Sequence, residues 1–300
     1  MLGPTAVSAL VLVAYARGGG DGLLMAGCGV LVVVAAVLAW RWRCYELTLP
    51  PWAAPVDGSR ARPVRACAWL AAVALLSGLL VGVLVVGPAG RLAMRLLAVT
   101  SPAAHGRITE ADQVVGQITL SGTVGFFVFV GLPFGLVVGV TYALAAFVLP
   151  RGMVGGAVLG VAALVVFGSA VDPLRADNPD FDIVGPGWLS VSTFAVMAVL
   201  TGVLTAPIAG RLGAAVAHPR PWWAAWMAPV GLITGGTLML VQLALVAVLA
   251  GALTFVAALL VPAGSRRKYW RLGRAAIRAA LVVAVVVAVP GFVSAVSTIV

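Results

Sequence analysis

Charged residues are scarce in this chain. Asp, Glu, Lys and Arg make up 9% of its 300 residues, whereas hydrophobic residues make up 62%. A soluble domain carries about 25% charged residues and needs polar surface to cover its core, so an ordinary soluble domain is excluded. Runs of roughly 20 apolar residues recur, the length that crosses about 30 Å of hydrocarbon, where backbone groups must be paired internally. The sequence therefore predicts an all-α fold, a polytopic transmembrane helical bundle, as a single integral membrane domain over residues 1–300.

Residues that carry common active-site chemistry are also few. The chain has three cysteines without CxxC spacing and two histidines, so neither a disulfide nor a zinc site is predicted. P-loop, GxSxG, HExxH and dinucleotide-binding motifs are all missing. We therefore predict no cofactor and no metal, assign no catalytic residue, and regard an enzyme as the less favoured class. No Asp, Glu, Lys or His falls inside a predicted span, which disfavours a proton-driven pump.

Nine stretches have the length and composition of membrane spans. They are 2–16, 22–40, 66–87, 118–148, 152–170, 187–209, 222–236, 238–262 and 277–298. The division of 222–262 at Gly235-Gly236 is a choice, and eight spans are the alternative. It is favoured because it leaves most of the 19 Lys and Arg residues on one side of the membrane, which the positive-inside rule makes the cytoplasm. The protein is then predicted in the cell membrane, with a cytoplasmic N-terminus and an external C-terminus.

The net charge of +10 does not indicate nucleic-acid binding in such a chain. Positive residues are most concentrated in the basic stretch 265–278, beside the last span. Cations in that position attract anionic lipid by about 1 kcal/mol each. The predicted partners are therefore the lipid bilayer and anionic lipid at 265–278, and a homo-oligomer or a membrane partner stays open.

Polar residues gather in two connections that this topology places outside. One is 88–116, and the other, 168–191, reads GSAVDPLRADNPDFDIVGPGWLSV. The candidate outer polar cluster consists of Arg91, Arg95, His105, Arg107, Glu110, Asp112, Asp172, Arg175, Asp177, Asp180 and Asp182. Arginine–carboxylate pairs could join the two connections structurally. Alternatively, the arginines would receive a phosphate or carboxylate headgroup, and the aspartates would hold a divalent cation or act as bases.

Small residues recur at helical spacing in two spans. The predicted helix-packing positions are Gly131, Gly135 and Gly139, followed by Gly152, Gly156 and Gly160. Rows of this kind lie on one helix face and let another helix approach closely. Pro133 lies within the first row and predicts a kink there.

The chain also contains an internal echo. GVLVVGPAGRL at 82–92 resembles GVLTAPIAGRL at 202–212. If the echo is a weak internal duplication, the related halves are 66–170 and 187–298. Related halves of this kind are typical of transporters.

Four motifs in order carry a family resemblance: AGRLAMRLL, GRITEADQVVGQITLSGT, an Asp-Phe-Asp loop and GPGWLSV. They resemble a group of uncharacterised multi-pass membrane proteins of high-GC bacteria, over about residues 80–212. The resemblance implies a membrane protein with important external loops, and no activity or ligand. Three functions are therefore considered: a transporter or permease for a small or lipid-like solute, a non-catalytic assembly or scaffold subunit, and a membrane enzyme acting on a lipid-linked substrate with the outer Arg/Asp cluster.

Overall fold

The computed structural model describes residues 21–50, 61–170, 173–216 and 266–300. In these ranges all regular structure is helical, apart from an isolated bridge between Ile108 and Val114. The predicted spans 2–16, 222–236 and 238–262 lie outside the described residues. An all-helical fold is what hydrocarbon requires of a spanning chain, because each helix satisfies its own backbone hydrogen bonds.

The described helices follow one another in this order. They are α1 (Gly22–Arg41), α2 (residues 61–100), α3 (residues 120–145), α4 (Gly152–Phe167), the short α5 (Asp180–Ile183), α6 (Gly187–Ala215) and α7 (Arg266–Ile299). Helix α2 consists of Ala61–Val81, a π-helical turn Gly82–Val86, and Gly87–Thr100. Helix α3 consists of Leu120–Phe126, a π-helical turn Phe127–Gly131, and Leu132–Ala145.

Five of these helices are long and apolar enough to cross a membrane. The spanning segments are Gly22–Arg41, Ala68–Thr100, Leu120–Ala145, Gly187–Ala215 and Leu281–Ile299. Helix α4 is apolar but has 16 residues, which is about 24 Å at 1.5 Å per residue. The chain therefore has the helices of an integral membrane protein, whereas the predicted count of nine spans is not confirmed.

The largest correction concerns the predicted span 66–87. Its helix does not end at Gly87 but continues to Thr100, so much of the predicted external connection 88–116 is helical. Pro88 is accommodated because it follows the π-turn, at the start of the next helical segment, where its missing N–H is tolerated. The helix also carries two buried arginines, Arg91 and Arg95, which lie beyond the predicted end of the span, in the predicted external connection.

Smaller corrections affect the other span boundaries. Where the sequence predicts spans at 118–148 and 152–170, the structure has the helices Leu120–Ala145 and Gly152–Phe167. Against 187–209 and 277–298, they are Gly187–Ala215 and Arg266–Ile299. Hydropathy indicates which part of a helix is apolar, and it does not indicate where the backbone hydrogen bonding ends. The predicted spans therefore stop short of the ends of α6 and α7, which extend beyond their apolar parts.

Glycine brings the backbones of α2 and α3 into contact. A Cβ added at Gly139 would lie 2.6 Å from Gly78 N, and one at Gly135 would lie 2.5 Å from Gly78 O. Gly131 lies in the same seam, against Gly82 and Gly87. Only residues without a side chain permit this approach, so glycine positions the two helices.

A second glycine contact joins α4 to α6. A Cβ added at Gly156 would meet the backbone of Gly202, and one added at Gly160 would lie 3.0 Å from the carbonyl carbon of Ala198. Gly152 differs from the predicted row. It has a φ of +63°, with nothing within 4 Å of an added Cβ, so it serves the turn into α4 rather than a packing seam.

Helices α2 and α6 run antiparallel through the core. Near the start of α2, the buried Trp69 donates its indole N–H to Gly213 O at 3.2 Å, near the end of α6. Further along α2, Val81 and Val85 pack against Leu204 and Ile208. The numbering thus rises along one helix as it falls along the other.

The described connections collect at two ends of the bundle. At one end, Glu110 contacts Arg175. At the other, Arg151 lies 3.6 Å from Glu46, and Arg278 donates to Val148 O at 2.6 Å. These groupings follow the predicted division into two sides, and which side faces the cytoplasm stays a prediction.

Side-specific labelling tests that orientation. In a background without the three native cysteines, Asp112→Cys and Asp177→Cys are expected to react with an impermeant thiol reagent from outside the cell, and Ser265→Cys only after the membrane is opened. If positions 112 and 177 react only from the inside of the cell, and position 265 reacts from the outside, the predicted orientation is reversed. Reaction of 112 and 177 from opposite sides would contradict the contact between their segments.

Candidate functional site

We define the polar cap as residues 101–119 and 173–186, which cover one end of the bundle. Its first segment folds back on itself between Gly106 and Val115, with Thr109 N–H donating to Gln113 O at 2.9 Å and Val115 N–H donating to Arg107 O at 2.9 Å. Asp112 lies at the turn with a φ of +54°, a left-handed conformation that aspartate tolerates better than most residues. The turn projects polar groups away from the helices.

Arg175 joins the two segments of the polar cap. Its Nη2 lies 2.6 Å from Glu110 Oε1 and its Nε lies 2.7 Å from Asp177 Oδ1. Asp180 Oδ1 accepts the Glu110 backbone N–H at 2.8 Å. These side chains are partly exposed, with 32% of Arg175 and 47% of Glu110 accessible, so each pair contributes at most about 1 kcal/mol.

A buried layer lies beneath these ion pairs. Ser101 Oγ donates to Gly185 O at 2.5 Å and accepts from Gly185 N–H at 3.0 Å. Apolar side chains from both segments pack around the same place: Ala98, Ala104, Val115, Ile183 and Val184. Because it excludes water, this layer holds the segments together more strongly than the surface ion pairs do.

Arg95 is paired inside the bundle with the residue that precedes α1. Its Nη1 lies 3.3 Å from Asp21 Oδ2, and the two side chains are 7% and 8% exposed. A buried cation needs such a partner, because removing it from water unneutralised costs several kcal/mol. The pair ties the start of α1 to the last turns of α2.

Arg91 lies one helical turn before Arg95 and is 6% exposed. Its Nε and Nη2 both donate to Thr123 Oγ1, at 3.3 and 3.1 Å, and its Nη1 donates to Met94 Sδ at 3.5 Å. The guanidinium carbon lies 5.5 Å from the centroid of the Phe126 ring. All these partners are uncharged.

The guanidinium of Arg91 faces the N-terminus of α3. Its Nη2 lies 3.2 Å from the position of a Cβ added at Gly122, in the first turn of that helix. Thr119 caps the helix, since its Oγ1 accepts from Gly122 N–H at 3.1 Å, and Ser121 Oγ lies 3.4 Å from Thr119 Oγ1. Hydroxyls, free first-turn N–H groups and an arginine therefore converge at one helix end.

The structure separates the predicted outer cluster into three sets. Arg175, Glu110, Asp177 and Asp180 come together in the polar cap. Arg91 and Arg95 are buried beneath it. His105, Arg107, Asp112 and Asp182 are exposed, and His105 Nε2 lies 3.2 Å from Ala98 O. Asp172 lies outside the described residues.

The carboxylates of the polar cap do not form a metal centre in the part of the chain that the structure describes. No three His, Cys, Asp or Glu side chains come together there as ligands. Glu110 and Asp177 share Arg175, and Asp180 accepts a backbone N–H. The described arrangement is therefore suited to holding loops in place, whereas Arg91, a buried arginine with uncharged partners, has the chemistry to hold an anion.

Two residues of this region were missed by sequence reasoning. Asp21 was not identified because it follows three glycines and resembles an ordinary loop residue. Thr123 was considered only as the last residue of the motif GRITEADQVVGQITLSGT. The available signal was the four-residue spacing of Arg91 and Arg95 in GRLAMRLL, which puts two cations on one face of a helix and requires polar partners for that face.

Comparison with known proteins adds no relationship: no protein-family model, no curated protein and no solved structure matches the chain.

Proposed function

We propose that the protein is a membrane carrier, a transporter or permease for a small or lipid-like solute. The observation that supports this most is a pair of helices, each with a π-turn within its length, that contact each other at those turns. The π-turns Gly82–Val86 of α2 and Phe127–Gly131 of α3 lie against one another. π-turns within helices are frequent at functional sites, and local departures from regular α-helix inside the membrane are a feature of transporter binding regions.

Each π-turn weakens the regular hydrogen bonding of its helix. Gly87 N–H donates to Gly82 O, and Leu132 N–H donates to Phe127 O, which are bonds across five residues rather than four. A proline, Pro88 or Pro133, follows each turn and supplies no N–H. π-turns of this kind occur often at functional sites, and here they provide two points at which helices can bend.

The internal echo supports the same proposal. The segments 82–92 and 202–212 belong to antiparallel helices, so the duplicated Ala-Gly-Arg-Leu sequence points toward opposite ends of the bundle. Arg91 lies over the Phe126 ring at 5.5 Å, and Arg211 lies over the Tyr45 ring at 5.4 Å. Two halves related by inversion across the membrane are the arrangement on which alternating access is commonly built.

A flux assay in proteoliposomes tests the proposal. The panel comprises labelled small anions, amino acids, sugars and fluorescent phospholipids, measured as uptake or as transfer between leaflets. Pro133→Ala supplies a backbone N–H and favours a regular α-helix. We expect it to lower flux about tenfold, which corresponds to about 1.4 kcal/mol on the limiting step.

Pro207→Ala is the matched control. Pro207 lies inside α6, which has no π-turn, so its replacement should leave flux within about twofold of the unaltered protein. Absence of flux for the whole panel would contradict a carrier. Equal losses in both variants would show that proline removal acts on stability rather than on the π-turn.

An assembly or scaffold subunit is the second candidate. The observation in its favour is the helix Leu281–Ile299, of which 6% is buried, with exposed valines that include Val282, Val286 and Val287. Lipid covers such a face as readily as another helix does. Flux catalysed by a lone, monodisperse monomer would exclude this candidate.

A further inference from the structure

Arg91 differs from its neighbour Arg95 in how its charge is balanced. Arg95 faces the carboxylate of Asp21. The contacts of Arg91 are a hydroxyl, a thioether and a phenyl ring, and within the described ranges no carboxylate pairs with it. Burying a cation without an opposite charge costs several kcal/mol, so a negative group is expected beside Arg91.

The N-terminus of α3 adds to the positive potential at this point. A helix carries about half a unit of positive charge at its N-terminus, and this one continues over the 26 residues of Leu120–Ala145. Gly122 N–H is used by Thr119 Oγ1, and Thr123 N–H is used by Thr119 O. The N–H groups of Leu120 and Ser121 remain, because first-turn donors have no acceptor within their own helix.

The guanidinium of Arg91 and the N-terminus of α3, which are both positive, thus lie next to each other. An anion between them would relieve their repulsion. Nη2 of Arg91 lies 3.2 Å, and Thr119 Oγ1 3.0 Å, from the place of a Gly122 Cβ, so the absence of a side chain at Gly122 lets the guanidinium lie directly against the first turn of α3. Thr119 and Ser121 are exposed while Arg91 is buried, so the site opens at the end of the bundle.

We propose that Arg91 and the N-terminus of α3 bind a phosphate group, carried either by a lipid headgroup or by a soluble phosphate ester. A tetrahedral oxyanion can accept from the guanidinium N–H groups that Thr123 and Met94 do not use, from the first N–H groups of the helix and from the Thr119 and Ser121 hydroxyls. The claim that phosphate compounds are the solute class of the carrier rests on the proposed function. As a binding site it rests on these contacts alone.

The full chain, purified in a maltoside detergent free of phosphorus, allows a direct test. Two probes are added separately: inorganic phosphate, and phosphatidic acid with diacylglycerol as its phosphate-free match. Thermal unfolding is measured at increasing probe concentration. Both the shift in Tm and the half-saturating concentration are compared with those of Arg91→Gln, so that general stabilisation by salt cancels.

Arg91→Gln is expected to weaken binding about tenfold or more, because it removes the positive charge and its charge-assisted hydrogen bonds to the phosphate. Arg107→Gln is the matched control, since Arg107 is an exposed arginine at the same end and its loss should leave binding unchanged. A response to inorganic phosphate identifies a soluble ester as the source, and a response to phosphatidic acid alone identifies a headgroup. No response to either probe, or equal responses in Arg91→Gln and the unaltered protein, would overturn the proposal.

Gly122→Asp and Gly122→Asn keep the proposal testable if Arg91→Gln does not fold. The aspartate would place a carboxylate beside Arg91, in the position proposed for phosphate. We expect the Asp variant to melt higher than the Asn variant without phosphate and to lose its response to phosphate. A phosphate response in the Asp variant equal to that of the unaltered protein would contradict the proposed position.

The binding test and the flux test fail independently. Binding that depends on Arg91, without flux for any solute, would support the phosphate site and remove the carrier function. Flux without binding that depends on Arg91 would retain the carrier and remove the site.

Discussion

Replacement of Gly135 by alanine is expected to lower the free energy of unfolding by about 3 kcal/mol. The added methyl would lie 2.5 Å from Gly78 O and 2.5 Å from Gly82 N. Both are backbone atoms, so no side chain can rotate away, and α2 and α3 must separate. Separation also loses dispersion contacts along the seam, which carry much of the helix association in a lipid environment. Titration with SDS in mixed micelles, followed by tryptophan fluorescence, measures the change.

Gly125→Ala is the control within the same helix. Nothing lies within 4 Å of a Cβ added at Gly125, and alanine favours a helix over glycine by about 1 kcal/mol. This variant should be as stable as the unaltered protein or more stable. Equal destabilisation by both substitutions would show that α3 is sensitive to any change and that the seam is not special.

Asp21→Asn is expected to lower the free energy of unfolding by about 3–5 kcal/mol. The substitution keeps the shape of the side chain but removes the charge that lies 3.3 Å from Arg95 Nη1. Since both side chains are more than nine-tenths buried, water cannot replace the lost charge. The same SDS titration measures the loss, and Asp177→Asn is the control, because the Asp177 side chain is 80% exposed and its ion pair contributes at most about 1 kcal/mol.

A double-mutant cycle separates this ion pair from other effects of the substitution. Asp21→Asn combined with Arg95→Gln should lose clearly less stability than the two single variants summed, because each single variant leaves one charge without its partner. Additive losses would mean that Asp21 stabilises the start of α1 without regard to Arg95.

The helices and the glycine seams were predictable because their signals are local. An apolar run defines a span. Four-residue spacing places Gly131, Gly135 and Gly139 on one face of a helix, whichever neighbour that face meets. Which helix that face meets depends on contacts far along the chain, so Gly78 and Gly82 could not be assigned as its partners. Gly152 has the spacing of a seam residue but begins α4 with a positive φ, which the spacing does not report.

The buried arginines could not be placed from sequence for a related reason. Two arginines within GPAGRLAMRLL resemble the polar end of a span, because a charge in a lipid-facing helix would be too costly. Their neutralisation depends on Asp21 and Thr123, which belong to other helices. Arg175 was one cation among several in the sequence, and folding alone brings it to Glu110. Pro133 predicted a kink, and in the structure it follows the π-turn Phe127–Gly131, whereas the π-turn beside Pro88 had no separate signal.

The glycine seam between α2 and α3 also restricts how this chain can change during evolution. A pair of side chains in contact can covary, because a gain in volume on one side can be offset by a loss on the other. At Gly78 and Gly135 neither side has any volume to give up, so no second substitution restores the fit. Both positions should therefore stay glycine rather than covary, and correlated variation among relatives would carry no signal from this close helix contact.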